Sequence, residues 1–350
     1  MNETVSIIIP LYNSGEYLPN LLKSLTEQTY KDIEIICVDD GSTDNSAEII
    51  RDFMKKDDRI SYYYQENSGG GAARNLGIIK AKGEYLICLD SDDLYEKTLV
   101  EYLYTKAKKT DADIVICKYN VCYQTTERLS RNKGVNTKIL PQKEVFSADD
   151  VENILNVTNC APWNRLYKSD FILKNDLKYS TSRIINDLKF GMIALILAKK
   201  VTTVDKELST YRYQIAGSGS KNREKKLANS LLVYMEIYDE FCERGLWEKY
   251  KNLYFNQIIE SLKYEISFPI SPMTSSLIKG FLFKHESFAS LSPDEIQKLF
   301  NIKQIKRNYI NYLLLSTVCL GLNETANERY QQFKNKLLNL KNIGVIGIER

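Results

Sequence analysis

Apolar and polar positions alternate in blocks over the first 125 residues of this 350-residue chain. Compact apolar runs of strand length are followed by segments with Leu, Ile or Ala at helical spacing. The predicted strands are 5–12, 33–40, 60–66, 84–90 and 113–123. The predicted helices are 17–30, 41–56, 69–82 and 98–110. This alternation predicts an α/β fold, with a mostly parallel sheet and helices on both faces.

A different pattern begins near Ala148. Residues 161–173 predict a turn followed by a helical or mixed segment, and residues 185–200 predict an apolar helix. Residues 201–213 predict a pair of strands, and the sequence AGSGS at 216–220 predicts a flexible loop.

The sequence is helical in pattern from Lys221 onward. We therefore predict an α/β domain at 1–220 and an α-helical C-terminal region at 221–350. The longest apolar run, Tyr309–Leu322, is too short to cross a bilayer and contains Asn311, which favours a buried helix. Basic residues precede this run, so peripheral membrane contact stays open as an alternative.

Composition narrows the class of protein. A formal net charge of +3 is too small to indicate a nucleic-acid partner. The seven cysteines are odd in number and show no zinc-like spacing, which favours a reducing cytosol. The N-terminus lacks the basic and apolar regions of a signal peptide, so we expect a cytoplasmic protein.

Polar residues follow three of the predicted strands. Tyr12-Asn13, Asp39-Asp40 and Asp90-Ser91-Asp92-Asp93 each stand where an apolar run ends. Because ligands bind beyond the carboxyl ends of strands in open α/β sheets, we expect these residues to converge on one site.

The sequence Asp90-Ser91-Asp92-Asp93 carries the strongest candidate chemistry. Mg²⁺ and Mn²⁺ prefer carboxylate oxygens together with phosphate oxygens from a substrate. The structural alternative is an Asp-rich turn that caps the next helix, and we assign that capping role to Asp93. The position at the end of a buried strand favours a metal and diphosphate site.

Two further motifs have both a ligand-binding and a structural interpretation. Asp39 and Asp40 could bind a base or ribose, or this turn could cap the following helix through Ser42 or Asp44. The glycine-rich run Asn67–Arg74 opens a helix, where backbone N–H groups and Arg74 attract anions. It follows the third strand rather than the first, which disfavours a dinucleotide fingerprint.

Asn186 and Asp187 precede an apolar helix. An ordinary N-cap is the structural interpretation. The catalytic interpretation is a general base, because the only histidine, His285, lies far away in the helical C-terminal region.

Together these motifs resemble the inverting glycosyltransferases of family 2, which have the Rossmann-like GT-A fold. The resemblance rests on 5–46, on NSGGGAARN at 67–75 and on CLDSDD at 88–93. It is close over 4–125 and looser to about 220. It implies a nucleotide-binding part at 1–125, an acceptor part at 126–220, and a hexosyltransferase activity.

The resemblance also implies a set of site residues. The donor, a nucleotide-sugar and often a UDP-sugar, would contact Pro10, Tyr12, Asn13, Asp39, Asp40, Asn67, Gly70, Arg74, Asp90, Ser91 and Asp92. Asp92, with Asp90, would hold Mn²⁺ or Mg²⁺. Trp163 and Asn164 would face the acceptor, and Asp187 would be the base.

Two segments depart from the family pattern. Asn186 replaces the usual Glu of a Glu-Asp pair. Gln214 and Ala216 stand where relatives carry a basic residue that meets the diphosphate, which leaves Arg212, Lys221 or Arg223 as candidates for that contact.

The resemblance indicates a glycan or lipid-linked glycan acceptor in bacterial surface polysaccharide assembly, at the inner face of the membrane. The C-terminal helices could form a homo-oligomer.

A nucleotidyltransferase that makes nucleotide-sugars is one alternative function, although the first loop, Asn13–Glu16, lacks the basic residues of that class. An inactive sugar-nucleotide-binding protein is the other.

Overall fold

The computed structural model describes residues 3–123, 128–213 and 223–266. The chain divides into two compact units, Met1–Ser218 and Gly219–Arg350, and each is considered by itself. The domain boundary and loop expected near 216–220 lie outside the described residues. The same holds for His285 and for the apolar run at 309–322, with the membrane contact and oligomer expected of that region.

The first unit contains nine strands and six α-helices within its described part. The strands are β1 (Val5–Leu11), β2 (Ile33–Asp39), β3 (Ile60–Tyr64), β4 (Tyr85–Cys88), β5 (Leu94–Tyr95), β6 (Ile114–Tyr123), β7 (Arg128–Lys133), β8 (Arg165–Lys168) and β9 (Val201–Tyr213). The helices are α1 (Leu18–Thr26), α2 (Ser46–Met54), α3 (Gly70–Lys80), α4 (Leu99–Thr110), α5 (Ser169–Lys174) and α6 (Asn186–Leu197).

One nine-stranded sheet organises this unit, in the order β3-β2-β1-β4-β8-β6-β9-β5, with β7 paired to β6. The strands β3, β2, β1 and β4 are parallel to one another, and β6 is parallel to β9. The remaining pairings are antiparallel. The predicted α/β architecture is thus confirmed, with antiparallel strands added toward one side.

Helices cover both faces of the sheet. The side chains of Ile7, Ile9 and Ile35 share one core with residues of α1, α2 and α4. On the opposite face, α3 packs so closely that a Cβ at Gly77 would lie 2.2 Å from Cγ2 of Ile8. Because both faces are covered, every residue of β1 is buried, which explains its unbroken apolar sequence.

Some expectations about the second half of this unit are wrong. Residues 201–213 form the single strand β9 rather than a pair of strands, with register shifts against β6 near Lys118. The segment 161–173 supplies β8 and then α5, so the mixed interpretation holds there. The sequence pattern did not predict β5 or β7.

The second unit is helical in its described part, as predicted. It comprises α7 (Arg223–Glu243) and α8 (Trp247–Ile266). The two helices pack through aromatic rings, and the hydroxyl of buried Tyr234 lies 2.7 Å from Oγ of Ser261. Among the described helices of both units, none is both long and apolar enough to cross a membrane.

Candidate active site

The ends of β1, β2 and β4 meet at one edge of the sheet. Asn13 adopts a left-handed conformation (φ 49°). Its backbone N–H donates to Oγ of Ser42 at 2.9 Å, and its Oδ1 accepts the N–H of Thr43 at 2.8 Å. The hydroxyls of Ser14 and Ser91 lie 2.8 Å apart and join the first loop to the Asp-rich turn. The convergence expected from the three strand ends is therefore present.

Two predicted donor contacts at the end of β1 differ in accessibility. Pro10 is buried within the strand, opposite Val38 of β2. Tyr12 follows the strand and is 48% exposed. Tyr12 is thus the member of this pair whose side chain is open to a ligand.

Asp39 and Asp40 are buried and hydrogen bonded within the protein. Asp39 accepts the N–H of Ser42 at 2.8 Å and the hydroxyl of Tyr62 at 2.8 Å. Asp39 therefore closes the turn after β2. Any contact of this carboxylate with a ligand has to use the lone pairs that these two bonds leave.

Asp40 supports the glycine-rich loop. Its Oδ1 accepts the side chain of Gln65 and the N–H of Ser68, both at 2.7 Å, and its Oδ2 accepts the N–H of Gly69 at 2.8 Å. Gly69 has a φ of 95°, a conformation that side chains disfavour. Ser42 does not cap α2, because its Oγ accepts the N–H of Asn13. The N-cap position is Asn45, and Asp44 next to it accepts the N–H of Ser46, the first residue of α2.

Arg74 connects the glycine-rich loop with the rest of the site. Its Nη2 donates to Oδ1 of Asp90 at 2.5 Å, and its Nη1 donates to Oδ1 of Asn186 at 2.7 Å. Its guanidinium also lies over the ring of Tyr179. Since Arg74 is only 8% exposed, its charge is committed to these partners and holds the Asp-rich turn beside the start of α6.

Asp187 lies in the first turn of α6. Ile185, the residue before this helix, has a φ of 61°, which is costly for a β-branched side chain and is a kind of strain that concentrates at functional sites. No side chain caps this helix, so the N-cap interpretation of Asn186 and Asp187 is wrong. Burial raises the pKa of Asp187 above its ordinary value, opposed by the charge of Arg74.

The carboxylates of the Asp-rich turn lie in different environments. Burial, and then the charge of Asp90, raise the pKa of Asp92 to about 6. Asp93 does not cap α4, which begins six residues later; instead its Oδ1 accepts the N–H of Arg212 on β9 at 2.9 Å. Its Oδ2 is buried without a hydrogen-bond partner among the described residues. Burial and the neighbouring Asp90 raise the pKa of Asp93 well above its usual value.

The turn supplies part of a ligand set for a divalent cation. The described residues contain no group of three or more His, Cys, Asp or Glu arranged to hold a metal ion. The charge of Asp90 disfavours the ionised form of Asp92, and a cation bound to both carboxylates would relieve this repulsion. Two carboxylates fit a cation whose other ligands are water and substrate phosphates.

The residues expected to face the acceptor are buried. Trp163 is 4% exposed and contacts the rings of Tyr119 and Tyr211. Asn164 is fully buried and donates to the carbonyl of Cys117 at 3.0 Å, so it fixes the junction of β6 and β8. Trp163 therefore keeps a small exposed fraction, whereas Asn164 has none.

The sequence did not single out two other arginines. Arg183 donates to the side chain of Asn67 at 2.5 Å and covers Gly69, and its only sequence signal was its position just before Asn186-Asp187. Arg165 is fully buried, and its Nε and Nη1 have no hydrogen-bond partner among the described residues.

Arg212 is the described candidate for the missing basic contact. It lies on β9 with its guanidinium over the ring of Tyr17, and its charge lowers the pKa of Asp92. Gln214, Ala216 and Lys221 lie outside the described residues, and the structure does not describe the side chain of Arg223.

Comparisons with known proteins identify the family of this chain. The family model described as glycosyl transferase family 2 matches residues 6–174. The glycosyltransferase GlyG of Streptococcus pneumoniae is 36% identical over 225 residues, which cover 61% of this chain and 71% of that protein. The poly(ribitol-phosphate) beta-glucosyltransferase of Bacillus spizizenii is 34% identical over 206 residues, 57% of this chain and 30% of that one.

The fold also matches a crystal structure. The structure of S. aureus TarS superimposes with a TM-score of 0.67 over 97% of this chain and 92% of that one, at 19% identity. TarS has also been crystallised with UDP and with UDP-GlcNAc. The sheet and its strand-end site define a GT-A-like transferase. The chain belongs to glycosyltransferase family 2 and is a glycosyltransferase.

Proposed function

We propose that this enzyme transfers a sugar from a nucleoside diphosphate-sugar, with a uridine nucleotide, to a hydroxyl of a glycan or lipid-linked glycan, with inversion at the anomeric carbon. The observation that carries the proposal is the double contact of Arg74. Its bonds to Asp90 and Asn186 hold the Asp-rich turn next to the helix turn that contains Asp187. A diphosphate site and a base thereby face one reaction centre.

Asp187 is the proposed general base. Its partly buried carboxylate has a raised pKa, and matching a base's pKa more closely to neutral pH favours proton transfer. The acceptor hydroxyl gives its proton to this carboxylate while its oxygen forms a bond to the anomeric carbon. The bond from that carbon to the diphosphate oxygen breaks, and the nucleoside diphosphate leaves with the electron pair. One displacement inverts the configuration.

The donor would lie along the strand ends. Tyr12 and Asn13 are exposed there, and Asp39 and Asp40 hold the turn after β2 and the glycine-rich loop in place. Asn67, Gly70 and Ser91 border it as parts of the two loops. TarS, which shares the fold, was crystallised with UDP, and this supports a uridine nucleotide.

Asp90 and Asp92 would hold Mn²⁺ or Mg²⁺. Such a cation neutralises the charge that develops on a departing diphosphate. Arg212 is placed to add a positive charge on the same side, because it acts electrostatically on Asp92. Asp93 has no part in this set, since its carboxylate turns to the backbone of β9.

The acceptor and the cellular setting are proposed more broadly. The name of the Bacillus spizizenii relative supports an acceptor in a surface polymer. The six cysteines in the described part of the chain are free thiols, and three of them, Cys37, Cys88 and Cys117, are buried, which supports a cytoplasmic site of action.

The test is a panel of nucleotide-sugars, screened by thermal unfolding of the full chain with Mn²⁺ and with EDTA. We expect one uridine diphosphate-sugar to raise the melting temperature, and more so with Mn²⁺, because a ligand that binds only the folded state stabilises it. That donor should then release UDP in an acceptor-dependent reaction.

The rival activities give different results. A nucleotidyltransferase would release pyrophosphate from a sugar 1-phosphate and a nucleoside triphosphate. An inactive binding protein would be stabilised by a donor and release no UDP with any acceptor fraction. Either outcome would replace the proposed reaction.

A further inference from the structure

Five aromatic rings form a continuous row at the end of the sheet formed by β6 and β9. Ring centroids lie 4.6 Å apart for Tyr119 and Trp163, and 5.7 Å apart for Trp163 and Tyr211. They lie 6.3 Å apart for Tyr211 and Tyr213, and 5.4 Å apart for Tyr213 and Tyr123. We call these five residues the aromatic row.

Strand register explains why the four tyrosines are neighbours. In the parallel pairing of β6 and β9, Val121 is opposite Tyr211, and Tyr123 is opposite Tyr213. Alternate residues of a strand point to the same face, so Tyr119 and Tyr123 share a face with Tyr211 and Tyr213. The row is therefore a property of one sheet face rather than of a chance cluster.

The row leads from the interior to the surface. Trp163 is 4% exposed, whereas Tyr213 is 37% exposed. The rings of Trp163 and Tyr211 are nearly parallel, at 10°. Core packing accounts for Trp163. Tyr213 stays more than one third exposed although its ring contacts that of Tyr123, so part of the surface of this ring is open to a ligand.

The inner part of the row lies within electrostatic reach of the Asp-rich turn. Burial raises the pKa of Tyr211 to about 12, and the charges of Asp93, Asp92 and Asp90 contribute in that order. The backbone of Arg212, between Tyr211 and Tyr213, is bonded directly to Asp93. The row thus begins beside the proposed diphosphate site and continues away from it.

We propose that the outer end of the aromatic row, formed by Tyr123 and Tyr213, is an acceptor subsite that binds the sugar rings of a pyranose glycan by stacking. The proposal rests on the proposed function and narrows its acceptor class. The faces of aromatic rings are electronegative and apolar, and a pyranose presents a flat face of C–H groups to them while its hydroxyls stay in water. A polyol phosphate chain has no such face, and its phosphates would require cationic partners.

The outer rings of the row meet edge to face. The angle between the ring planes is 66° for Tyr123 and Tyr213 and 64° for Tyr211 and Tyr213, so each ring can offer its own face to a sugar. Sites for small molecules commonly combine such aromatic walls with a few polar groups. Here the side chain of Asn159 donates to the hydroxyl of Tyr119 at 2.9 Å and fixes the position of that ring.

The test uses the full chain and an immobilised panel of pyranose tetra- to hexasaccharides, together with poly(ribitol phosphate). The variants are Tyr213→Ala, Tyr213→Phe and the double variant Tyr123→Ala/Tyr213→Ala. Tyr102→Ala is the matched control, because Tyr102 is 38% exposed on α4, outside the row. Affinity for UDP and melting temperature are measured for every variant.

We expect the wild type to retain at least one oligosaccharide. Tyr213→Ala should weaken that binding by about two- to tenfold, the range expected for one aromatic contact. The double variant should weaken it further, whereas Tyr213→Phe and Tyr102→Ala should bind as the wild type does. UDP affinity should be unchanged throughout.

Three results would overturn the subsite: retention of poly(ribitol phosphate) alone, retention of no ligand of the panel, or equal retention by the wild type and the double variant. Absence of UDP binding by the wild type is a separate result. It would refute the proposed donor, and it is read independently of the oligosaccharide panel.

Discussion

Arg74 and Asp90 form an ion pair at 2.5 Å, with side-chain exposures of 9% and 27%. Removing one partner of a buried pair leaves an uncompensated charge. We predict that Arg74→Met lowers the free energy of unfolding by roughly 2–4 kcal/mol. It should also lower kcat, because the Asp-rich turn and α6 lose their common partner. Urea unfolding and initial rates measure both effects.

Arg74→Lys separates charge from geometry. Lysine keeps the positive charge but lacks the fork that reaches Asp90 and Asn186 at once. Its stability should fall between those of the wild type and Arg74→Met. Equal stability of Arg74→Lys and the wild type would show that the second bond, to Asn186, contributes nothing.

Asp187→Asn should nearly abolish turnover while leaving UDP affinity intact. A general base contributes roughly 10²- to 10⁴-fold to rate, so we expect a loss of that order. The acid limb of the wild-type pH–rate profile should lie above pH 3.8, because burial raises the pKa of Asp187 from that value. Turnover by Asp187→Asn at the wild-type rate would exclude Asp187 as the base.

The same substitution should stabilise the fold at neutral pH. A carboxyl whose pKa is raised on folding is favoured in its protonated form, so its ionised form destabilises the native state above that pKa. Asp187→Asn removes this cost at pH 7. The advantage should shrink as the pH falls through the raised pKa and should vanish below about 3.8, as denaturant unfolding at several pH values would show.

Asp92→Asn should remove the extra stabilisation that Mn²⁺ gives to the donor complex. Saturating ligand at one hundred times its Kd contributes about 2.7 kcal/mol to folding, so the effect is visible in thermal unfolding. Asp93→Asn is the matched control, because its carboxylate accepts the N–H of Arg212 rather than facing the site. If Asp93→Asn loses the Mn²⁺ response and Asp92→Asn keeps it, the ligand assignment is reversed.

Asp40→Asn should destabilise the glycine-rich loop by about 1–3 kcal/mol. Both oxygens of Asp40 accept hydrogen bonds, one of them from Gly69, and asparagine has only one acceptor oxygen. Asp39→Asn should cost less, because the hydroxyl of Tyr62 can turn and accept from the new amide. Chemical unfolding of the two variants compares them directly, and an equal loss would contradict this account.

Gly71→Ala should lower stability by roughly 1–3 kcal/mol, because the added Cβ would lie 1.9 Å from the carbonyl oxygen of Ser180. The segment from Ser180 leads into Asn186-Asp187, so kcat should fall as well. Gly70→Ala is the steric control: its Cβ meets nothing nearer than Nη1 of Arg74 at 3.5 Å. Its melting temperature should match or exceed that of the wild type, since alanine favours helix more than glycine.

Local pattern was sufficient for the first half of the catalytic unit. Strands β1, β2 and β4 were predictable because both faces of a parallel sheet are buried, which forces continuous apolar runs such as Val5–Leu11. Their polar ends were predictable as one site, because the carboxyl ends of parallel strands share an edge.

Pairing in the second half depended on distant residues. The strand β8 lies between β4 and β6, and its four residues carry too short a pattern to predict this position. The role of Asp93 also depended on a distant residue. An acid before a helix indicates a cap, but Asp93 instead accepts the N–H of Arg212 on β9, 119 residues away in the sequence. Short polar motifs have several local solutions, and tertiary contacts select one.

The sequence by itself determined the α/β class, the strand-end location of the chemistry and the family, because hydrophobic period and contiguous motifs are local properties. Tertiary structure alone decided that Asp40 supports a loop, that Arg74 joins Asp90 to Asn186, and that four tyrosines share a face with Trp163 beside them. These relationships join residues up to 112 positions apart, and only packing brings such residues within hydrogen-bond distance.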